Sequence, residues 1–534
     1  MKKSALAILL MSFSFFSFSQ NYVPNKKITL NDEFKLDWGN SFKDKNKSTA
    51  VQFIASIGDY SYVEKASKKG KFIDKVDSDM NLVATAELNM EYKGNELDFH
   101  SIVYFGNEVH VLSTYKNKKK EINYLFGQRF DPKSMKLTGD LVILKEMSYR
   151  NGSKRRAGYF ATRVSQDSSL FMVYNDVPGK KDDREHFGIS VFSAGLETVW
   201  ATEKVFPYED GLFQIESFKL DNKGEVFVLG KLYSEKLKSS RKGKTNYEMR
   251  LLGFSENAEE PEIYEIALND IHITDMEVFF KEDQIICFGF YSKGYGTSAD
   301  GCFTLSIDKK TKDILKSNKE EFSLDFITMN MSAKQKKKTK KKESKGKDAE
   351  IGGLEIRNVV VKENGELIVI AEQYFYYVTT TTTTNANGGT TTTTTHHYVY
   401  DDILLIGITN DLRISWYDKI PKSQHTTNDG GFYSGFYFVP TKDRMYFVYN
   451  DNIKNSKMLE GAKEYNFSGR IKTSVAVCVS VDYDGNKGKE RLFNVKEESI
   501  LIRPKTCGRT SKGEILVFGQ LKKIQRYGIV ERAN

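Results

Sequence analysis

Cysteine, proline and tryptophan are all scarce: the 534 residues hold 4 Cys, 8 Pro and 3 Trp. So few cysteines exclude a disulfide-dense scaffold. Cys287 and Cys302 lie on consecutive predicted strands, where a disulfide across the hairpin competes with two buried free thiols. Cys478 and Cys507 are further apart in the pattern. Beyond the first twenty residues no apolar stretch approaches the roughly 20 residues that cross a bilayer as a helix, so no membrane span is expected. Also missing are a Gly-x-Ser-x-Gly elbow, a His-Glu-x-x-His zinc motif, a phosphate-binding Gly-Lys loop and a Cys-x-x-Cys pair. No cofactor is expected from these absences.

Two weaker signals for metal also fail. His396 and His397 are adjacent, and neighbouring side chains on a strand point to opposite faces, so they do not readily ligate one ion. The run Asp482-Tyr483-Asp484-Gly485-Asn486 resembles the start of a calcium loop. However, Lys487 stands where that loop needs its sharp-turn Gly, and Glu490 arrives too early to be the terminal ligand. An ordinary turn between two strands explains it.

Charge of one sign is confined to one place. Of the net +9, the stretch 334–347, with nine Lys and one Glu, supplies +8, and Lys2 with Lys3 supplies +2, so that the rest of the chain sums to −1. A folded body this close to neutral gives no support to a general basic nucleic-acid-binding face.

What the sequence does have is aromatic and repetitive. Phe and Tyr number 36 and 29, and apolar residues come in short bursts separated by Gly, Asn, Asp and Lys. That is strand and turn chemistry. A unit recurs in which a polar turn precedes a continuously apolar strand. The clearest copies are Asp221-Asn222-Lys223-Gly224-Glu225-Val226-Phe227-Val228-Leu229, Val361-Lys362-Glu363-Asn364-Gly365-Glu366-Leu367-Ile368-Val369-Ile370 and Thr510-Ser511-Lys512-Gly513-Glu514-Ile515-Leu516-Val517-Phe518. A third strand follows, then a fourth that often opens on a turn residue and Leu, as at Gly195-Leu196 and Asp411-Leu412.

Four sequential strands per unit describe the blade of an all-β propeller. Continuous apolarity fits strands covered on both faces by neighbouring blades. The units span 50–88, 98–145, 158–203, 212–267, 272–318, 354–419, 430–493 and 500–530, giving about eight blades, or seven if one unit is wrongly split. The last unit offers only three strands, and the segment 33–38 is expected to supply the fourth and close the ring.

Residues 1–19 read as a signal peptide, with Lys2 and Lys3 before an apolar run and Ser17 and Ser19 before Gln20. A single propeller domain then occupies 20–534. It carries two insertions: a Lys-rich loop at 331–353, expected to be solvated and irregular, and a Thr-rich hairpin at 374–400. In the second, two runs of six Thr flank Asn385-Ala386-Asn387-Gly388-Gly389, and folding about that centre sets Tyr374 opposite Tyr400 and Tyr376 opposite Tyr398. The candidate binding residues are therefore Lys336, Lys337, Lys338, Lys340, Lys341 and Lys342 of the first insertion and Tyr374, Tyr376, Tyr398 and Tyr400 of the second. A solvated linker and an expanded loop without a partner are the plain alternatives.

With these repeats, a leader ending Phe18-Ser19-Gln20 and a tail Gln525-Arg526-Tyr527-Gly528, the chain resembles uncharacterised exported β-propeller proteins of Bacteroidetes. The resemblance implies a cell-envelope location and brings no catalytic residues. Because no sorting domain follows the last unit, periplasmic residence is expected over surface display. The expected role is a non-enzymatic interaction or scaffold protein, a monomeric ring that binds an envelope protein or glycan and no nucleic acid. The alternatives are a glycan hydrolase or lyase with an axial acidic site, and a surface adhesin.

Overall fold

The computed structural model describes residues 34–532 apart from 149–157, 178–185, 210, 235–245, 257, 267, 269–270, 282, 295–297, 345–348 and 458–463. Residues 1–19, expected to be a signal peptide, lie outside the described residues, as does residue 33. Among the described residues eight antiparallel blade sheets follow one another, the first seven each with four strands in chain order and the eighth with its fourth strand taken from the N-terminal segment. Their first strands are Thr49–Ile57, Asp98–Phe105, Phe160–Val164, Phe213–Leu220, His272–Lys281, Leu354–Val361 and Tyr437–Pro440, and the eighth sheet opens with two short pieces, Leu501–Ile502 and Gly508–Arg509. First strands of adjoining sheets touch, as in sheets 1 and 2, 3 and 4, 5 and 6, and 8 and 1, so these strands line the axis.

The buried apolar residues divide in the way a ring demands. Each core cluster is shared by two consecutive sheets, and one joins sheet 8 to sheet 1. In the second strand of sheet 4, Val226 and Val228 face the cluster shared with sheet 3, whereas Phe227 and Leu229 face the one shared with sheet 5. Both faces are dry, which is why the run is apolar without alternation. The chain is an eight-bladed β-propeller.

The Gly-Glu repeats are the turns into these second strands. At Asp221, Lys362 and Thr510 the backbone N–H donates to the carbonyl of the Glu four residues on, with Gly224, Gly365 and Gly513 at φ of 89°, 81° and 87°. That left-handed backbone is what requires glycine there. Blade 7 starts later than its repeat boundary, at Tyr437, because residues before it form a loop with Gly430, Gly431 and Gly435 at positive φ.

Closure is by the N-terminal strand. Phe34–Trp38 pairs antiparallel with Ile524–Arg532, from Phe34 opposite Arg532 to Trp38 opposite Gly528. A Cβ at Gly528 would lie 2.5 Å from the Trp38 ring, so this glycine admits the indole. Across the seam, the Tyr527 hydroxyl donates to Asp74 at 2.8 Å, and buried Lys65 pairs with Asp74 at 3.1 Å and Asp44 at 2.8 Å.

One local expectation is corrected, and of the two alternatives for Cys287 and Cys302 the disulfide is excluded. The Lys-rich segment, read as an irregular loop, is an α-helix over Ala333–Glu343: Ser332 caps Gln335 N–H, the Gln335 side chain returns to Ser332 N–H, and Lys is a good helix former. Cys287 and Cys302 are free, buried thiols and not a disulfide. Cys287 pairs in register with Leu305 and Cys302 with Phe290, and the two face different core clusters, Cys287 towards blade 4 and Cys302 towards blade 6. The Asp482 segment is a turn, in which Asp482 Oδ1 accepts from Asn486 N–H at 2.7 Å, while Lys487 reaches Asp418 of blade 6 at 2.6 Å.

Candidate functional site on blade 6

In a blade of four sequential antiparallel strands, the connection between strands two and three and the connection to the next blade lie at the same end. Both insertions around blade 6 are of this kind, so they share one face of the ring. The lysine helix sits in the link from blade 5. The Thr-rich segment extends the second and third strands, Leu367–Thr384 and Thr390–Ile408.

The arm so formed pairs Thr384 with Thr390 down to Thr379 with Thr395, then Tyr376 with Tyr398 and Tyr374 with Tyr400. Its tip is closed by Asn385 N–H to Gly389 O at 2.9 Å and Gly388 N–H to Asn385 O at 3.0 Å, with Gly388 at φ 77°. The four tyrosines differ in role. Tyr400 is buried, receives the Lys505 ammonium on its hydroxyl at 2.8 Å and lies tilted against Tyr374, with ring centroids 4.7 Å apart. Tyr398 is half-buried beside Tyr376, whereas Tyr376 is exposed together with Phe375 and Tyr377. His396 and His397 do point apart: His396 Nδ1 meets the Tyr376 hydroxyl at 2.7 Å, while His397 stacks on Tyr377 at 4.4 Å and its Nδ1 meets His425 Nε2 at 2.9 Å. His425 belongs to Gln424–Thr427, a short strand that braces the arm alongside Tyr400 to His397.

The six candidate lysines lie on the exposed helix, of which no residue is buried. The start of the helix and the root of the arm meet one cavity of about 710 Å³, whose lining includes Ser332, Lys334 and Gln335 together with Gln373, Asp401 and Asp402, whereas none of the six candidate lysines and none of the four tyrosines is part of that lining. Its polar lining further includes Asn330, Glu350, Lys419, Lys422, Ser423 and Glu464. None of the lining residues comes from a first strand, so the cavity is off the axis.

This polar wall was not singled out from the sequence, although Asp401-Asp402 directly before the buried apolar run 403–406 was a signal for it. Burial pushes the Asp401 carboxyl up to about 6, against the pull of Lys422. Burial also raises Asp402, and it holds Glu464 well above the usual carboxylate range, reinforced by Asp402 and Asp451. The Lys419 ammonium, held down to about 8 by burial, donates to Ile327 O at 3.3 Å. Lys422 is paired with Glu372 at 3.0 Å and donates to Tyr400 O at 2.9 Å. Among the described residues no group of three or more His, Cys, Asp or Glu is arranged to hold a metal ion.

The mouth of the channel at the opposite face, about 650 Å³, is bounded by Gln166 of blade 3 and by Lys362, Glu363, Lys442 and Tyr483 of blades 6 and 7. Glu363 is the one carboxylate among its described lining residues, so the pair of acids that the alternative of a glycan hydrolase or lyase needs is not found in this lining.

No protein-family model and no curated protein matches the chain. Solved structures similar to it include the WD40 domain of SCAP from fission yeast, at 9% identity and a TM-score of 0.38, covering 95% of this chain and 98% of that one. Another is prolyl oligopeptidase B from Galerina marginata, at 6% identity and a TM-score of 0.39, covering 89% of this chain and 55% of that one. A third is a protein of unknown function from Bacteroides caccae, at 10% identity and a TM-score of 0.27, covering 69% and 93%. The chain spans about half the length of the prolyl endopeptidases it matches, 55%.

Proposed function

We propose that this chain is a non-enzymatic interaction protein of the cell envelope, exported to the periplasm, that docks an acidic protein or glycan through the face of blade 6. The observation that carries this reading is that the lysine helix and the arm with its exposed aromatic base lie on one face of the ring, with a single cavity between the start of the helix and Gln373, Asp401 and Asp402, which flank the arm. The helix holds seven of the nine Lys of the run 334–347, which carries the excess positive charge of a body otherwise near neutral, and this suits an anionic partner. Phe375, Tyr376 and Tyr377 add exposed aromatic surface of the kind that anchors interfaces.

The test is in-cell crosslinking and pull-down with the helix 333–343 replaced by a Gly-Ser linker and, separately, with Phe375, Tyr376 and Tyr377 changed to Ser. The same envelope partner should be lost from both variants. An unchanged partner list in both overturns the docking role, and recovery of the chain from the cytoplasm with residues 1–19 attached overturns the location.

A second reading, hydrolysis or lysis of a glycan, is favoured by the raised carboxylates of Asp401, Asp402 and Glu464, since a carboxylic acid protonated near neutral pH is what a general acid must be. Against it, the cavity's described lining includes no aromatic ring on which a sugar could stack.

A further inference from the structure

The arm leaves strand edges open. The first strand of blade 6 accompanies the second only as far as Gln373, and Tyr374 N–H donates to Gly353 O at 2.7 Å. From Phe375 to Thr384 no strand lies on the outer side among the described residues. On the other side, the bracing strand ends at Thr427 opposite His397, and Asn428 N–H donates to His396 O at 3.0 Å, leaving Thr390–Thr395 open as well.

Proteins normally guard such edges with Lys, Pro or a bulge. Here none is present. From Gln373 to Tyr400 the sequence contains no Asp, Glu, Lys, Arg or Pro, in a chain that is 28% charged overall. The register is unbroken from Tyr374 to Thr384. Six β-branched residues at about 3.3 Å each give roughly 20 Å of flat, uncharged edge, enough for a full strand pairing.

We propose that this edge is a strand-pairing site whose occupant is the arm of a second copy of the chain, the two rings being joined by an antiparallel pair of Thr strands. The proposal rests on the docking role given above to blade 6 and adds to it a partner for the arm's tip. A charged strand laid along this edge would lose water with nothing to answer its charge, whereas a second arm is equally uncharged. An isologous contact also requires that residue i meet j while j meets i. A strand of identical residues satisfies that in every register. Antiparallel overlap of the tips sets the two arm bases at opposite ends of the joint ribbon, which keeps the two lysine helices apart. Parallel overlap would bring them together.

The test uses the purified full-length mature protein in sedimentation-velocity experiments over a concentration series, with two variants. The wild type should show a concentration-dependent dimer. Thr380→Lys combined with Thr382→Lys, which restores edge charges at exposed positions, should weaken dimerisation by at least about tenfold at unchanged melting temperature. Thr381→Cys should form an interchain disulfide under mild oxidation, while the four buried native thiols do not. A wild type that stays monomeric, or a dimer indifferent to the two lysines, overturns the proposal. A monomer that still captures its envelope partner in cells overturns self-pairing and leaves the docking role standing. A lysine-sensitive dimer with no envelope partner does the reverse.

Discussion

Asp401 sits where the arm leaves blade 6, with Lys422, Asp402 and Ser423 as the groups acting on its carboxyl and with burial the largest influence. Its proton is held more tightly in the folded chain than in the unfolded one, up to a pKa of about 6. The stability this lends is therefore fully present below the unfolded value of about 4 and is lost as pH rises through about 6. Asp401→Asn removes that loss. The variant should melt above the wild type at pH 7, by on the order of 2 kcal/mol after allowing for solvent screening, and the two should converge towards pH 4. Melting curves offset equally at both pH values would show that Asp401 is ionised without penalty. Lys419 works at the other end of the scale: its depressed pKa of about 8 makes the folded state gain stability as pH rises above that value.

The lysine helix is an element whose own charges oppose it. Lys334 with Lys338, Lys336 with Lys340, Lys337 with Lys341 and Lys338 with Lys342 are like charges four residues apart, each costing about 0.2–0.5 kcal/mol. Lys337→Glu converts one repulsion into an attraction with Lys341. It should slow amide hydrogen exchange across 333–343, by about 0.5 kcal/mol of added protection, while weakening capture of the envelope partner. A variant that binds its partner better would mean the helix is recognised by its shape and not by its charge.

The same element shows where sequence reading falls short. The run has no apolar period, so the pattern that reveals helices is silent. The capping box Ser332-Ala333-Lys334-Gln335 was the one local sign of a helix start. Blade strands are legible for the opposite reason: two dry faces make them continuously apolar, and the turns before them need glycine at one fixed position. Contacts between distant segments, such as His425 with His397 or Glu464 with Asp402, carry no sequence mark at all.

At the scale of the whole molecule, the ring has no edge only because residues from opposite ends of the chain share blade 8. The strand Phe34–Trp38 has the segment Ile524–Arg532 as its ladder partner, and the Trp38 ring packs on Gly519, Gly528 and Phe493. This closure was readable from the sequence because the last unit lacked a strand and the segment 33–38 near the N-terminus was an orphan one. Deleting 501–534 removes the ladder partner together with the blade-8 halves of two core clusters, those shared with blades 7 and 1. Val477 and Val479 would keep their packing against blade 6, but Ala476 and Cys478 would face water, as would Val63 and Val76 of blade 1. Losing two interfaces at once exceeds the margin of about 5–15 kcal/mol by which a domain is folded. The truncated chain should show no cooperative unfolding transition by calorimetry and should bind a hydrophobic dye at ambient temperature. A truncated chain that melts cooperatively at the wild-type temperature would mean that blades 1 to 7 hold together without closure, and that the N-terminal strand is an accessory to the ring.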